Sequence, residues 1–485
     1  MDGSEISSDE PKKNGFRYIC EPVLFLYSFA YMLQFPTAHQ YIYSRFSENI
    51  GFKYSYNNPH AGISRECHHG SMNQTDIHAQ QKVQSATAHF QIYYHIMSII
   101  PSTIMNLFYG ALSDEVGRRC MMTLVLICSV IESSILLVNI VFKLPLWTIF
   151  IGNACAGFGG GLNGMFMLII AYTADVTEKM DRSVRIGYIE TALFLGMTIS
   201  NYASGELIHQ YGFTIPQVVT VLSHLSAILY VAFVLKKSRD QNKPRNETNK
   251  WLIFWQQPIN MWNILVKERA NKDLLYLAIF ILISGLTFTV SVHSVFTLYL
   301  LNRPFCWLAR DVGYIMGTYF LLLSLGTAIG MKILTPTIPE WLLSLLSFMM
   351  SAGSFVYIAF ATNKLDLYAA IALRFFGGLP TAIFRGNVSK SVPQNEHGAI
   401  FSVITSIEML LIMLGIFIFN TSYAHLNDIG HPGWFFLIPA IMLIMPFTLS
   451  VVYWRKTFDL QRKHFYDVTI SEEDEEEEKE QLLKE

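Results

Sequence analysis

The sequence predicts an all-α polytopic membrane protein, with twelve transmembrane helices in two six-helix bundles. Three observations predict it. Of 485 residues, 52% are apolar or aromatic and 15% are charged, and the mean hydropathy of +0.33 is more than a soluble surface tolerates. The charges gather between apolar blocks, and a block of about 20 apolar residues spans roughly 30 Å of hydrocarbon. Setting aside about 19 and 31 terminal residues and two polar stretches of about 40 and 36 leaves about 360, or about 30 for each of twelve tilted helix-and-loop units. The formal charge of -2 gives neither the basic field of a nucleic-acid binder nor the acidic excess of a disordered chain.

The elements follow in order. Residues 1–19 carry acids as well as bases and no apolar core, so no cleavable signal peptide is visible and block 20–46 reads as an uncleaved signal anchor. The next blocks are 86–112, 121–142, 146–174, 185–208 and 215–235, which complete an N-terminal bundle at 20–235. A polar cytoplasmic linker, 236–272, separates it from blocks 274–301, 311–333, 338–361, 366–388, 398–423 and 433–454, the C-terminal bundle at 273–454. An acidic tail occupies 455–485.

Orientation follows from Lys and Arg near the span ends. With the N-terminus in the cytosol, about 25 of the basic residues fall on the cytoplasmic side and about 8 on the other, so both termini are expected to be cytoplasmic. Of six cysteines, only Cys67 and Cys306 then lie on the oxidising side, where they form either a disulfide or two free thiols. Asn73 starts an N-x-T glycosylation acceptor on that side. Asn246 starts another, but it should face the cytosol and stay bare. In the tail, Glu478 followed by Leu482 and Leu483 has the spacing of an acidic dileucine sorting signal, which implies a sorting adaptor as partner; the alternative is a solvated acidic terminus.

One turn carries more than charge. Gly110-Ala-Leu-Ser-Asp114-Glu-Val-Gly117-Arg118-Arg119 puts two glycines around a tight cytoplasmic turn, with an acid to cap the next helix and two basic residues where positive-inside charge belongs. The pattern resembles the G-x-L-x-D-x-x-G-R-R/K signature of the major facilitator superfamily, which implies two six-helix bundles around a central cavity and alternating access. The matching turn of the second half, Gly330-Met-Lys-Ile-Leu-Thr-Pro336, has lost the pattern, so a latch there must differ. Four segments narrow the resemblance: CEPVLFLYSFAYMLQFPTAHQYIYSRF, AYTADVTEKMDRSVRIGYIETALFLG, TLYLLNRPFCWLARDVGY and FRGNVSKSVPQNEHGAIFS. They are similar to the proton-coupled folate transporter family, solute carrier family 46, over residues 18–455. That resemblance implies a disulfide between cysteines in the loops that hold Cys67 and Cys306.

A charge at bilayer depth is expensive unless paired or wet, so each intramembrane ionisable residue is a functional candidate. The resemblance implies proton coupling at Glu190, since a buried Glu can take up and release a proton, and a site role for Asp175, which otherwise caps its helix or pairs with Arg182 or Arg185. It implies anion binding at Arg385, whose fork suits a carboxylate; the alternative is a positive-inside anchor. Arg374 lies outside that motif, and Glu408 is the expected partner of one of the two arginines; both join Arg385 as candidate substrate-binding residues. The folate carriers' helix 7 histidine is replaced here by Thr289. His293, one turn on, either takes over proton coupling or packs against a neighbour. His89, His95 and His224 lack metal-ligand spacing and read as packing residues, and the glycine run 157–161 reads as close helix packing rather than a phosphate loop.

The function these residues predict is secondary active transport, a proton symporter of an organic anion, folate-like or otherwise bulky, by alternating access. No cofactor or metal is implied, and the partners are the anion, protons and the lipid bilayer. Family members carry folates, and others are associated with peptidoglycan fragments, cyclic dinucleotides or steroid conjugates. Rival readings are a transporter-like sensor, scaffold or receptor, and a polytopic enzyme. An enzyme would cluster His, Asp or Glu at one face, whereas this chain scatters single charges over different helices. The expected location is the plasma membrane or an endosomal or lysosomal membrane.

Overall fold

The computed structural model describes residues 19–51, 74–178, 181–236, 272–290, 292–301, 309–393, 396–429 and 431–460, together with Asn263, Val266, Lys267, Phe305, Trp307 and Arg462. No strand occurs among them. The helices are α1 (Glu21–Ile50), α2 (Gln74–Val116), α3 (Arg118–Phe142), α4 (Thr148–Phe158), α5 (Gly161–Val176), α6 (Arg182–Tyr211), α7 (Thr214–Phe233) and α8 (Lys272–Val290). They continue with α9 (Val292–Leu301), α10 (Ala309–Ile329), α11 (Glu340–Ala359), α12 (Lys364–Ala372), α13 (Leu379–Lys390), α14 (His397–Asp428), α15 (Leu437–Met442) and α16 (444–460).

Among the described residues, seven helices are long and apolar enough to cross a membrane by length and composition, from Arg118–Phe142 to Pro432–Leu460. The helices outside that set, such as α1 and α6, bury Gln34, Thr37, Glu190, Thr198 and Ser200, and side chains that serve the interior lower their hydropathy. The outer surface is apolar. On α3, Leu124, Ile127, Ile131 and Val138 are exposed while Val125, Leu126, Ser129 and Ser133 are buried, a helical stripe that only lipid covers without penalty.

Among the described residues three predicted continuous spans are interrupted, 433–454 by a one-residue turn at 443 and 146–174 and 366–388 by wider breaks. In 146–174 the glycine run packs closely, with Gly157 against the Ser98 carbonyl, but it also breaks the helix. Gly160 and Gly161 take φ of 84° and 60°, left-handed values that glycine adopts freely. The freed carbonyls are met by α2: Tyr109 Oη donates to Phe158 O, while Ser102 Oγ and Asn106 Nδ2 donate to Gly160 O at 2.8 and 3.2 Å. In 366–388 the break runs through 373–378, where Arg374 N–H donates to Ile371 O and Gly377 N–H to Arg374 O, both at 2.9 Å. Irregular backbone at membrane depth is tolerated only where protein or a cavity surrounds it.

Small residues bring the two halves of the chain together. A Cβ on Gly110 of α2 would collide with the Gly398 carbonyl of α14, and one on Gly317 of α10 would meet the Tyr202 ring of α6. Such contacts let backbones approach closely without a hydrophobic drive. The expected second-half turn, Gly330–Leu334, forms a single π turn, with Met331 seated under Gly187 of α6.

Candidate functional site

At the centre, three buried charges from three helices meet. Arg385 (α13) reaches Glu408 (α14) at 3.3 Å and Glu190 (α6) at 4.0 Å. Thr381, one turn before Arg385, donates its hydroxyl to Glu190 Oε2. The Arg385 guanidinium also lies over the Phe166 ring of α5, 4.4 Å from its centroid, so the face of the fork that the carboxylates leave open is covered by an aromatic ring. Glu190 Oε1 and Arg385 Nε each lack a hydrogen-bond partner. One guanidinium thus serves two carboxylates, and the trio carries a net negative charge until a proton or a second cation joins it. Of the two arginines proposed to pair with Glu408, the structure selects Arg385.

A second cluster sits at the α2–α3 turn. Arg118 hydrogen-bonds Asp114 and Ser113, donates to Gly110 O at 3.2 Å, and reaches Asp175 of α5 at 3.2 Å. Asp175 is therefore paired with Arg118, not with Arg182 or Arg185, which the alternative reading offered as partners. Arg185 instead pairs with Glu21 at 2.9 Å, and Arg182 donates to Ser389 O at 3.1 Å. Gly117 turns the chain with φ of 105°, and Arg119 caps the Ala232 carbonyl. The α14 backbone lies directly on this turn: a Cβ on Gly398 would meet Gly110 O, Arg118 and Asp114. Two further contacts extend the seam, as Ser402 Oγ donates to Asn106 O and Ser406 Oγ to Thr103 O.

Arg374 and His293 occupy a third place. They line a cavity with Tyr319, Phe355, Met316 and Phe436. Arg374 is 5% exposed, and its guanidinium lies 4.6 Å from the Phe355 centroid and 5.0 Å from that of Tyr319. Nε has no hydrogen-bond partner, and no carboxylate pairs with Arg374 among the described residues. Cation–π contacts offset about 2 kcal/mol, less than the several kcal/mol that burying a lone ion costs. His293 stacks on Phe320 with centroids 5.7 Å apart.

Some functional groups escaped the sequence reading. Phe166 and Thr381 carry no charge and gave no signal. Glu132, inside the apolar α3, faces the Gln34 amide of α1 and gave the same signal as Glu190. His95 packs as read, with its Nε2 3.2 Å from His39 Nε2 of α1. Cys67, Cys306, Asn73, Glu478, Leu482 and Leu483 lie outside the described residues.

A family model described as Major Facilitator Superfamily matches residues 22–416. Over 434 residues the chain is 25% identical to the proton-coupled folate transporter of Rattus norvegicus, covering 89% of this chain and 91% of that one. It is 26% identical over 440 residues to the lysosomal proton-coupled steroid conjugate and bile acid symporter SLC46A3 of Homo sapiens, covering 88% and 92%. The resemblance to solute carrier family 46 thus extends over most of the chain. Among solved structures, the human organic anion transporter MFSD10 matches with a TM-score of 0.68 at 15% identity, covering 91% of this chain and 100% of that one. The E. coli fucose:proton symporter FucP matches at 0.62 and 12%, covering 90% and 98%.

Proposed function

Because the chain belongs to the Major Facilitator Superfamily, we propose that it is a proton-coupled symporter of an organic anion, working by alternating access between six-helix bundles at 20–235 and 273–454. One observation carries this reading. Arg385 is shared by Glu408 of its own half and Glu190 of the other, so the central charge balance is a contact between the halves. A proton on Glu190 removes one of the two claims on the guanidinium and leaves part of the fork for a substrate anion. The empty trio carries one net negative charge; a monovalent anion bound together with the proton leaves that charge unchanged, whereas an anion bound without the proton adds a second uncompensated negative charge in low dielectric and is disfavoured. Coupling follows from that difference.

The turn cluster has the second role. Arg118 holds Gly110, Asp114 and Asp175 in one arrangement against Gly398, and breaking that seam opens the face we expect to be cytoplasmic. The relatives' substrates, folate and steroid conjugates or bile acids, are ring-bearing anions, and a similar class suits the aromatic face of Phe166 beside Arg385. Location in the plasma membrane or a lysosomal membrane, with an adaptor reading Glu478, Leu482 and Leu483, is part of the same proposal.

The test is uptake into proteoliposomes under an inside-alkaline gradient, with labelled folate, estrone sulfate, a muropeptide and a cyclic dinucleotide, with and without a proton ionophore. Ionophore-sensitive accumulation of one anion is expected. If folded protein accumulates none of them, the sensor or scaffold reading takes its place.

A further inference from the structure

We propose that Glu132, held by the Gln34 amide, is a second proton-binding site, set inside the first half of the chain and sharing no residue with the Arg385 trio, and that it carries a proton in the transport cycle. Its part in the cycle rests on the symporter reading; the binding of the proton does not.

Three observations converge. Glu132 is the one charge between Arg119 and Lys143, midway along α3, so it stands at bilayer depth. It lies on the side that α4 abuts, not on the lipid stripe: a Cβ on Gly152 would come 3.3 Å from the Glu132 Cα and carbonyl oxygen. Second, its partner is neutral and is oriented for it. Gln217 Nε2 of α7 donates to Gln34 Oε1 at 3.2 Å and to Ser133 O at 2.9 Å. The Gln34 oxygen is thereby taken, and the amide presents its N–H groups to Glu132, where they serve a carboxylate and the carbonyl of the protonated acid alike. Gln34 is 6% exposed and Gln217 fully buried, so packing fixes the arrangement. Third, no counter-charge is at hand. Among the described residues no Lys, Arg or His forms an ion pair with Glu132. The titratable groups close enough to feel its charge are Tyr27 and Tyr31 of α1 and Tyr94 of α2. His224 of α7 turns to Ser133, and His39 and His95 turn to each other. An ionised carboxylate without a cation is costly at that depth, and a proton is the ligand that removes the cost while the Gln34 hydrogen bond persists. Glu190 differs, because Arg385 compensates its charge. Glu132 is only half-buried, so space for water reaches it, as proton exchange requires.

The experiment uses the purified full-length protein in lipid vesicles and reads infrared difference spectra between acid and alkaline buffer, in water and in deuterium oxide. The C=O stretch of a protonated carboxyl group that shifts on deuteration is expected, with one such band lost in Glu132→Gln and kept in Glu190→Gln. Gln34→Leu should move that band to higher wavenumber, since a carbonyl freed of a hydrogen bond is stiffer. Identical spectra of the parent and Glu132→Gln would overturn the site. So would a band that sodium chloride, but not choline chloride, removes at fixed pH, which makes it a sodium site. Should Glu132→Gln fail to fold, dicyclohexylcarbodiimide on the parent decides, because this apolar reagent adds the O–H of a protonated carboxyl across one of its C=N bonds. An adduct on Glu132 that declines as pH rises supports the site, and labelling of other carboxyls with none at Glu132 overturns it. For the cycle, vesicles that accumulate an anion should show the proton-to-anion flux ratio falling by about one in Glu132→Gln; an unchanged ratio removes Glu132 from the cycle. If no anion moves at all, the symporter reading fails while band and adduct still decide the site.

Discussion

At Glu190 a single oxygen decides what the side chain can do. Oε2 is held by Thr381, while Oε1 faces the Arg385 guanidinium at 4.0 Å without a hydrogen bond, a position from which a proton can come and go without dismantling the site. Glu190→Gln is therefore expected to reduce proton-driven accumulation by at least about tenfold while anion exchange stays within about twofold; uptake and counterflow in the same vesicles check this. Unchanged accumulation would remove Glu190 from the proton path. Arg118 makes the opposite kind of prediction. It is 2% exposed and satisfies Asp114, Asp175 and two α2 oxygens, so Arg118→Ala strands two carboxylates and should cost about 3–5 kcal/mol. Arg118→Lys should restore less than half of that, because an ammonium lacks the fork. Thermal unfolding in detergent reads both.

The helix breaks belong to the scale of elements. Gly160, at φ 84°, sits against Asn106 and the Tyr109 ring, so Gly160→Ala meets a strained backbone and a filled space. A loss of about 1–3 kcal/mol is expected, measured as a lower midpoint of thermal unfolding. Gly117→Ala is the matched control: its φ is 105° but nothing lies within 4 Å of the added carbon, so it reports the backbone cost alone and should lose less. Both breaks were written in the chain, as Gly157–Gly161 and as Gly377-Gly378 beside a proline, yet apolar periodicity runs straight through them. Hydropathy reports what surrounds a segment and is silent about a carbonyl turned towards Ser102 or a neighbouring glycine. The alternative reading of Asp175 looked to Arg182 and Arg185 of the next helix in the chain, whereas its partner Arg118 comes from a helix earlier in the chain.

Across the whole molecule, α2 against α14 and α6 against α10 and α13 join the halves. Ser402 meets Asn106, Gly398 meets Gly110, Tyr202 Oη lies 2.8 Å from Thr318 Oγ1, and Arg310 pairs with Glu206 at 3.2 Å. If the seam that α14 makes with the first half opens in each transport cycle, Asn163→Cys with Met409→Cys, whose native side chains touch, should cross-link under mild oxidant and stop transport. A reducing agent should restore at least about half of the activity, since the disulfide is the only added constraint. A cross-linked protein that transports at the parent rate would show that this seam stays closed throughout. Gly398→Val, which cannot fit against Gly110 and Arg118, should hold the seam apart and raise alkylation of a cysteine placed at Ser402.

The sequence by itself determined that this chain lives in a membrane, how its apolar blocks are ordered, and which charges stand at bilayer depth, because lipid punishes every unshielded polar group and so leaves its mark on composition. Glu190, Asp175, Arg385 and Glu408 stood out for that reason as charges in or beside apolar blocks, whereas the Gly110–Arg119 turn stood out as a motif. What only the tertiary structure decided was pairing: Glu408 with Arg385, Asp175 with Arg118, and Arg374 with rings in place of a carboxylate. Ion pairs form between residues far apart in the chain, and their choice rests on helix crossings set by small residues such as Gly110, Gly317 and Gly398. A linear pattern records that a charge needs a partner; only the packed helices say which one, or that among the described residues it has rings instead of a carboxylate.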